Sequence, residues 1–171
     1  MHRSPDIEGL LANVSVVLMA GSDEAVTSEL ARSLEALFED VVVVASSASD
    51  APPGEAAVRE LTSALAGARE ERVLIVASDT PHPTPNLWLA LTAWPEHDAV
   101  SPRPSPEATP LCTLYRRDAV LAAARDRLRG SEAGELELGT TRREALQGVA
   151  AALDAQFIEG ADLAALCQEE T

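Results

Sequence analysis

The chain has 171 residues, a length that suits one compact domain with a single core. Its 28 acidic and 13 basic residues leave a net charge of −15, which repels nucleic-acid phosphates and anionic membrane surfaces and excludes both as partners. All 13 cations are arginine, so a P-loop lysine, a Schiff-base lysine and any catalytic ammonium are excluded as well.

Aromatic residues make up 3% against a hydrophobic fraction of 46%, so the core must be built from Ala, Val and Leu, which favours helices packed on a sheet. Residues 1–13 read as a polar lead-in, with a short helix near Asp6 and no apolar stretch of signal-peptide type. No run approaches membrane-spanning length, and the expectation is a cytoplasmic protein. Val14–Met19 is the first strand, and residues 24–38 place Val26, Leu30, Leu34, Leu37 and Phe38 at helical spacing. The acidic turn Glu39-Asp40 opens a second buried strand, Val41–Ala45. Ser46–Gly54 is a loop, and a helix over 55–68 turns Val58, Leu61 and Leu65 inward.

Arg72–Ala77 is the third strand, and Thr84-Pro85 caps and opens a helix running to Ala93. On that helix Trp88 reads as core and Trp94 as a partly exposed end residue. A short strand, Asp98–Ser101, leads into the proline-punctuated loop 102–110, and Leu111–Tyr115 returns as a strand. Asp118–Arg129 is an amphipathic helix, and Gly130–Gly139 reads as an exposed acidic insertion. A helix over 141–153, a short strand Gln156–Ile158 and a terminal helix from Asp162 complete the chain. This alternation predicts a three-layer α/β domain with a mostly parallel sheet. Cys112 and Cys167 lack metal-ligand spacing and read as buried free thiols of a reducing compartment.

The most informative stretch is Val73 to Pro81, an apolar run that ends abruptly at Ser78-Asp79. Such a run is a strand buried on both faces, and open α/β sheets bind ligands beyond the carboxyl ends of their strands. Asp79 is therefore placed to meet a divalent metal or a sugar hydroxyl, or else to bond its own Asx-type turn. His82 could join it as a ligand or be a surface turn residue, with no clear third ligand nearby. Gly21 and Ser22 could offer amides to an anion at a helix start, or the turn is simply capped by Ser22 or Asp23. Arg103, Arg116 and Arg117, with Arg103 placed across from the pair, could bind an anionic phosphate or be solvated and paired with acids. No Ser–His–Asp or Cys–His set suggests itself around His2, His82 or His97.

Several of these pieces fall in one register. Ser78-Asp79-Thr80-Pro81, Thr84-Pro85-Asn86-Leu87 and Pro110-Leu111-Cys112-Thr113-Leu114-Tyr115 follow one another at set intervals. Upstream, Val16-Val17-Leu18-Met19-Ala20-Gly21 and Phe38-Glu39-Asp40-Val41-Val42-Val43-Val44-Ala45 fall in step with them. Together they resemble the molybdenum cofactor guanylyltransferases (MobA-like proteins) over residues 14 to 129, and weakly to Leu166. The resemblance implies a single nucleotidyltransferase (GT-A-like), Rossmann-like domain over 14–171. It implies Leu18, Ala20, Gly21 and Ser22 along the nucleotide, and Mg²⁺ on Asp79. The implied reaction is attack of a cofactor phosphate on GTP with release of pyrophosphate.

The departures from the family's pattern concern charge. Ala20 stands where the family has the first glycine of its phosphate loop, and the loop's arginine and lysine have no counterpart. Asp23 and Glu24 occupy the place of the triphosphate cradle. Ala56-Ala57-Val58-Arg59-Glu60 replaces the glycines that let backbone approach the base, and Phe157–Leu163 replaces an asparagine-rich segment. Three functional readings follow. One is a non-catalytic binding module for a protein partner of cofactor biosynthesis. Another is an active Mg²⁺-dependent transferase using GTP or CTP. The third is a GT-A-like glycosyltransferase relative.

Overall fold

A computed structural model describes residues 11–21, 23–45, 50–78, 85–103, 112–139 and 141–166. The strands are β1 (Val14–Met19), β2 (Asp40–Val44), β3 (Arg72–Ala77), β4 (Ala99–Arg103), β5 (Cys112–Arg116) and β6 (Ala155–Glu159). The helices are α1 (Glu24–Glu35), α2 (Pro53–Gly67), α3 (Pro85–Leu91), α4 (Arg117–Glu132), α5 (Arg142–Ala151) and α6 (Gly160–Leu166). The six strands form one sheet in the order β2-β1-β3-β5-β4-β6. All neighbours are parallel except those of β5, which runs against both β3 and β4.

Two apolar layers sandwich the sheet, as the strand–helix alternation predicts. On one face Val16, Leu18, Leu74, Val76 and Leu114 pack with Leu30 and Leu34 of α1, Trp88 of α3 and Leu163 of α6. On the other face Val17, Val73, Ile75 and Tyr115 pack with Leu61 and Leu65 of α2, Val120 of α4 and Val149 of α5. The assignment follows from strand alternation, since residues two apart share a face. Every residue of β1 is buried, and its ladders to β2 and β3 saturate both flanks. With so few aromatics, the T-shaped contact of Phe38 with Trp88, centroids 6.1 Å apart, supplies much of the bulk on the first face. Cys112, paired in register with Val76, is a buried cysteine at 1% exposure, and Cys167 lies outside the described residues.

Most element boundaries shift by a residue or two, and four departures from expectation bear on the packing or the strand ends. Leu11, expected in a polar lead-in, is 1% exposed and joins the core. Helix α1 closes at Glu35, and Leu37 and Phe38 follow in a turn that bonds back to the Leu34 carbonyl. Strand β4 continues through Pro102 to Arg103, because its ladder to β5 ends at Val100 and the proline removes no donor from it.

The fourth is the segment read as an exposed insertion. Helix α4 passes Gly130 and ends at Glu132, and the φ of 73° at Gly134 permits a Schellman closure. There Gly134 N donates to Ser131 O at 3.1 Å and Glu135 N to Gly130 O at 2.9 Å. The chain then folds back, Leu138 is 5% exposed, and the Gly139 carbonyl lies against Gly54 at the start of α2. An acidic composition concealed a short apolar return.

Candidate functional site

At the carboxyl edge of the parallel strands, the chain leaves β1 and β3 side by side. Ser78 N donates to Met19 O at 3.1 Å, and Ala20 N donates to Val44 O at 2.9 Å, so both ladders extend one residue past their strands. A side chain at Gly21 would collide with the Ser78 hydroxyl, which accounts for the glycine without a ligand.

Helix α1 begins immediately after this crossing. Its first-turn amides would attract an anion, because the helix leaves them without intrahelical partners. Here two of them are already taken. Asp23 Oδ1 accepts from Ala25 N at 3.0 Å and from Val26 N at 3.2 Å, and Glu24 adds a second carboxylate to the first turn. Of the two capping residues the sequence offers, the structure uses Asp23, while Ser22 lies outside the described residues.

The residues expected along a nucleotide separate by environment. Leu18 has 0% exposure, and its side chain sits in the apolar layer. Ala20 is half-buried and Gly21 exposed at the rim. Asp79 and His82 lie outside the described residues. Among the described residues, no three His, Cys, Asp or Glu side chains converge to hold a metal ion.

The three arginines do not form one patch. Arg103 ends β4 at the carboxyl edge, whereas Arg116, opposite Arg72 at the start of β3, lies at the amino edge with Arg117. The cause is the reversed direction of β5, which carries its carboxyl end to the far side of the sheet. Arg103 pairs with Glu159 through its Nε and lies 4.1 Å from the centroid of the Phe157 ring. Arg116 donates to Pro95 O at 2.9 Å and sits 3.6 Å from Asp98. Arg117 donates to Asp118 at 3.1 Å and to Ala68 O at 3.2 Å. Burial, and then the neighbouring Arg116 charge, lower the pKa of the Arg72 guanidinium between them.

Sequence reasoning gave no weight to a buried polar row on the second face. The Ser101 and Thr113 hydroxyls lie 2.9 Å apart at 2% and 3% exposure. Two residues along, the Tyr115 phenol is pushed up to about 12 by burial, with a Thr113 hydrogen bond acting in the opposite sense. Hydroxyls in place of valines at inward positions of β4 and β5 were the available signal.

No family model matches the chain, and no curated protein matches it. Solved structures do. The 2-C-methyl-D-erythritol 4-phosphate cytidylyltransferase of Thermus thermophilus superposes with a TM-score of 0.59 at 16% identity, covering 94% of this chain and 93% of that one. The chain has a nucleotidyltransferase fold. The bifunctional IspDF of Campylobacter jejuni gives a TM-score of 0.60 at 15% identity over 90% of this chain, which spans 51% of that protein. Glucosyl-3-phosphoglycerate synthase of Mycobacterium tuberculosis, solved with Mn²⁺, uridine diphosphate and glucosyl-3-phosphoglycerate, gives 0.58 at 14% identity, covering 93% of this chain and 76% of that one. The nucleotidyltransferase fold is thus shared with both cytidylyltransferase and GT-A-like proteins. No helix among the described residues is long and apolar enough to cross a membrane.

Proposed function

We propose that this chain is a divergent, cytoplasmic relative of the MobA-like guanylyltransferases that has lost nucleotidyl transfer and acts as a binding module for a protein of cofactor biosynthesis. The observation that carries this reading is the Asp23 carboxylate on the first-turn amides of α1. Phosphoryl transfer depends on positioning and on neutralising charge, and here a carboxylate occupies two of the amides that would draw a phosphate to this helix start. The chain has no lysine to offset it, and Arg103, the cation that β4 brings to this edge, is engaged by Glu159.

Calorimetric titration with GTP and CTP, with and without Mg²⁺, tests the reading. The expected result is no saturable heat at millimolar nucleotide. Guanylyl transfer to a molybdopterin acceptor, abolished by Asp79→Ala, would overturn it.

A second reading, a Mg²⁺-dependent nucleotidyltransferase passing GMP or CMP to molybdopterin, or a GT-A-like glycosyltransferase relative, draws on the mycobacterial synthase structures that hold Mg²⁺ or Mn²⁺ with uridine diphosphate. In that case Asp79 would hold the metal. Mg²⁺-dependent nucleotide binding, lost in Asp79→Ala, would favour it.

A further inference from the structure

Strand β2 pairs with β1 alone and is an end strand of the sheet among the described residues. The Val44 carbonyl accepts from Ala20 N, so Val44, and with it Val42 and Asp40, directs its backbone toward β1. The amides and carbonyls of Val41 and Val43 therefore face outward, with no backbone partner among the described residues. Free edges are ordinarily blunted by charge, proline or a bulge. This one reads Asp-Val-Val-Val-Val, with a single charge at its start. Val43 is 46% exposed and Val26 of α1 is 40% exposed, the two exposed large apolar side chains among the described residues. Val41 packs on the face that α1 covers, and alternation puts Val43 on the same side.

The Asp40 end of this edge opens into a depression of about 570 Å³ whose lining includes Glu35, Leu37, Phe38, Glu39 and Val41. Leu37, Phe38 and Val41 supply an apolar wall. Glu35 and Glu39 have no ion-pair partner among the described residues, whereas the Asp40 carboxylate is occupied by the Ser15 hydroxyl and Arg69 N. A long basic side chain suits such a place, its stem along the apolar wall and its cation against the acids.

We propose that the β2 edge docks an extended, basic segment of a partner protein, which joins the sheet beside β2 and sets an arginine or lysine against Glu35 and Glu39. The proposal rests on the binding-module reading and names its surface. Main-chain bonds to Val41 and Val43 supply affinity, and alternate side chains lying over Val43 and Val26 supply selectivity. The net charge of −15 works against a second copy of this chain and selects a basic occupant.

The probe is the blocked heptapeptide Arg-Thr-Val-Thr-Val-Thr-Arg, whose two arginines place one at the Glu39 end in either strand direction. Its counterpart carries glutamate at both ends. The expected result is protection of the Val41 and Val43 amides from hydrogen exchange by the arginine peptide, with the glutamate peptide binding at least about tenfold more weakly. Val43→Pro removes one outward donor and leaves the ladder to β1 intact, so it abolishes the protection at Val41. Val43→Lys, which blunts the edge without touching the backbone, does the same and guards against misfolding of the proline variant. Glu35→Gln with Glu39→Gln weakens binding by a similar factor.

Absence of protection at Val41 and Val43, or equal binding of the two peptides, overturns the proposal. A concentration-dependent dimer in sedimentation, lost in Val43→Lys, also overturns it by making the occupant a second copy. Nucleotidyl transfer by the purified protein would sink the binding-module reading, whereas a failed peptide titration without nucleotide binding sinks this surface alone.

Discussion

Gly21 and Ser78 meet where β1 and β3 end, and a β-carbon at position 21 would occupy the space of the Ser78 hydroxyl while standing 3.7 Å from its Cβ. That close approach makes a double substitution informative. Gly21→Ala should destabilise the fold by about 1–3 kcal/mol through overpacking. Ser78→Ala in the same chain should recover most of that loss, since only an ordinary contact then remains. Urea unfolding of both single variants and the double variant gives the coupling. A glycine kept only for a ligand would show no loss and no coupling.

Asp23 gives a second test at the same place. Asp23→Ala removes the acceptor for Ala25 N and Val26 N and should cost about 1 kcal/mol, whereas Asp23→Ser keeps a cap and should stay within about 0.5 kcal/mol of the parent. Thermal or urea midpoints distinguish the two.

The ends of the strands show what the sequence made legible. Val14–Met19 and Arg72–Ala77 are readable to the residue because strands buried on both faces are nearly continuous apolar runs. Strand direction leaves no such trace. Nothing in Cys112–Arg116 states that β5 runs antiparallel, and that one reversal moves Arg116 and Arg117 away from Arg103. Asp23 was legible as a possible cap, but the approach of Ser78 to Gly21 could be found only once β1 and β3 were known to be adjacent.

Leu138 tests the segment after α4, where an acidic composition misled. Leu138→Ala should destabilise the protein by about 2–4 kcal/mol, as expected of a buried leucine. Leu136→Ala, on a half-buried residue, should cost less. Equal, negligible effects in chemical denaturation would restore the view of an exposed insertion.

Tyr115 predicts a pH dependence with a defined sign. Its phenol ordinarily titrates near 10 and is pushed up to about 12 by burial, so the folded state holds the proton where the unfolded chain releases it. The contribution is complete below pH 10 and is lost as pH rises through about 12, amounting to about 3 kcal/mol. Relative to Tyr115→Phe, the parent protein should lose stability across that interval and run parallel to it below pH 10. With no lysine in the chain, no side-chain ammonium titrates in the same window. Phenolate absorbance and denaturant midpoints measured together check the sign.

Cys112 gives the fold a built-in clock. Its sulfur is sealed in the sheet opposite Val76, at 1% exposure, where a water-soluble thiol reagent has no approach while β3 and β5 stay joined. In a chain carrying Cys167→Ser, each labelling event would mark one parting of those two strands. The rate of modification would then report how often the antiparallel seam at the centre of the sheet comes open.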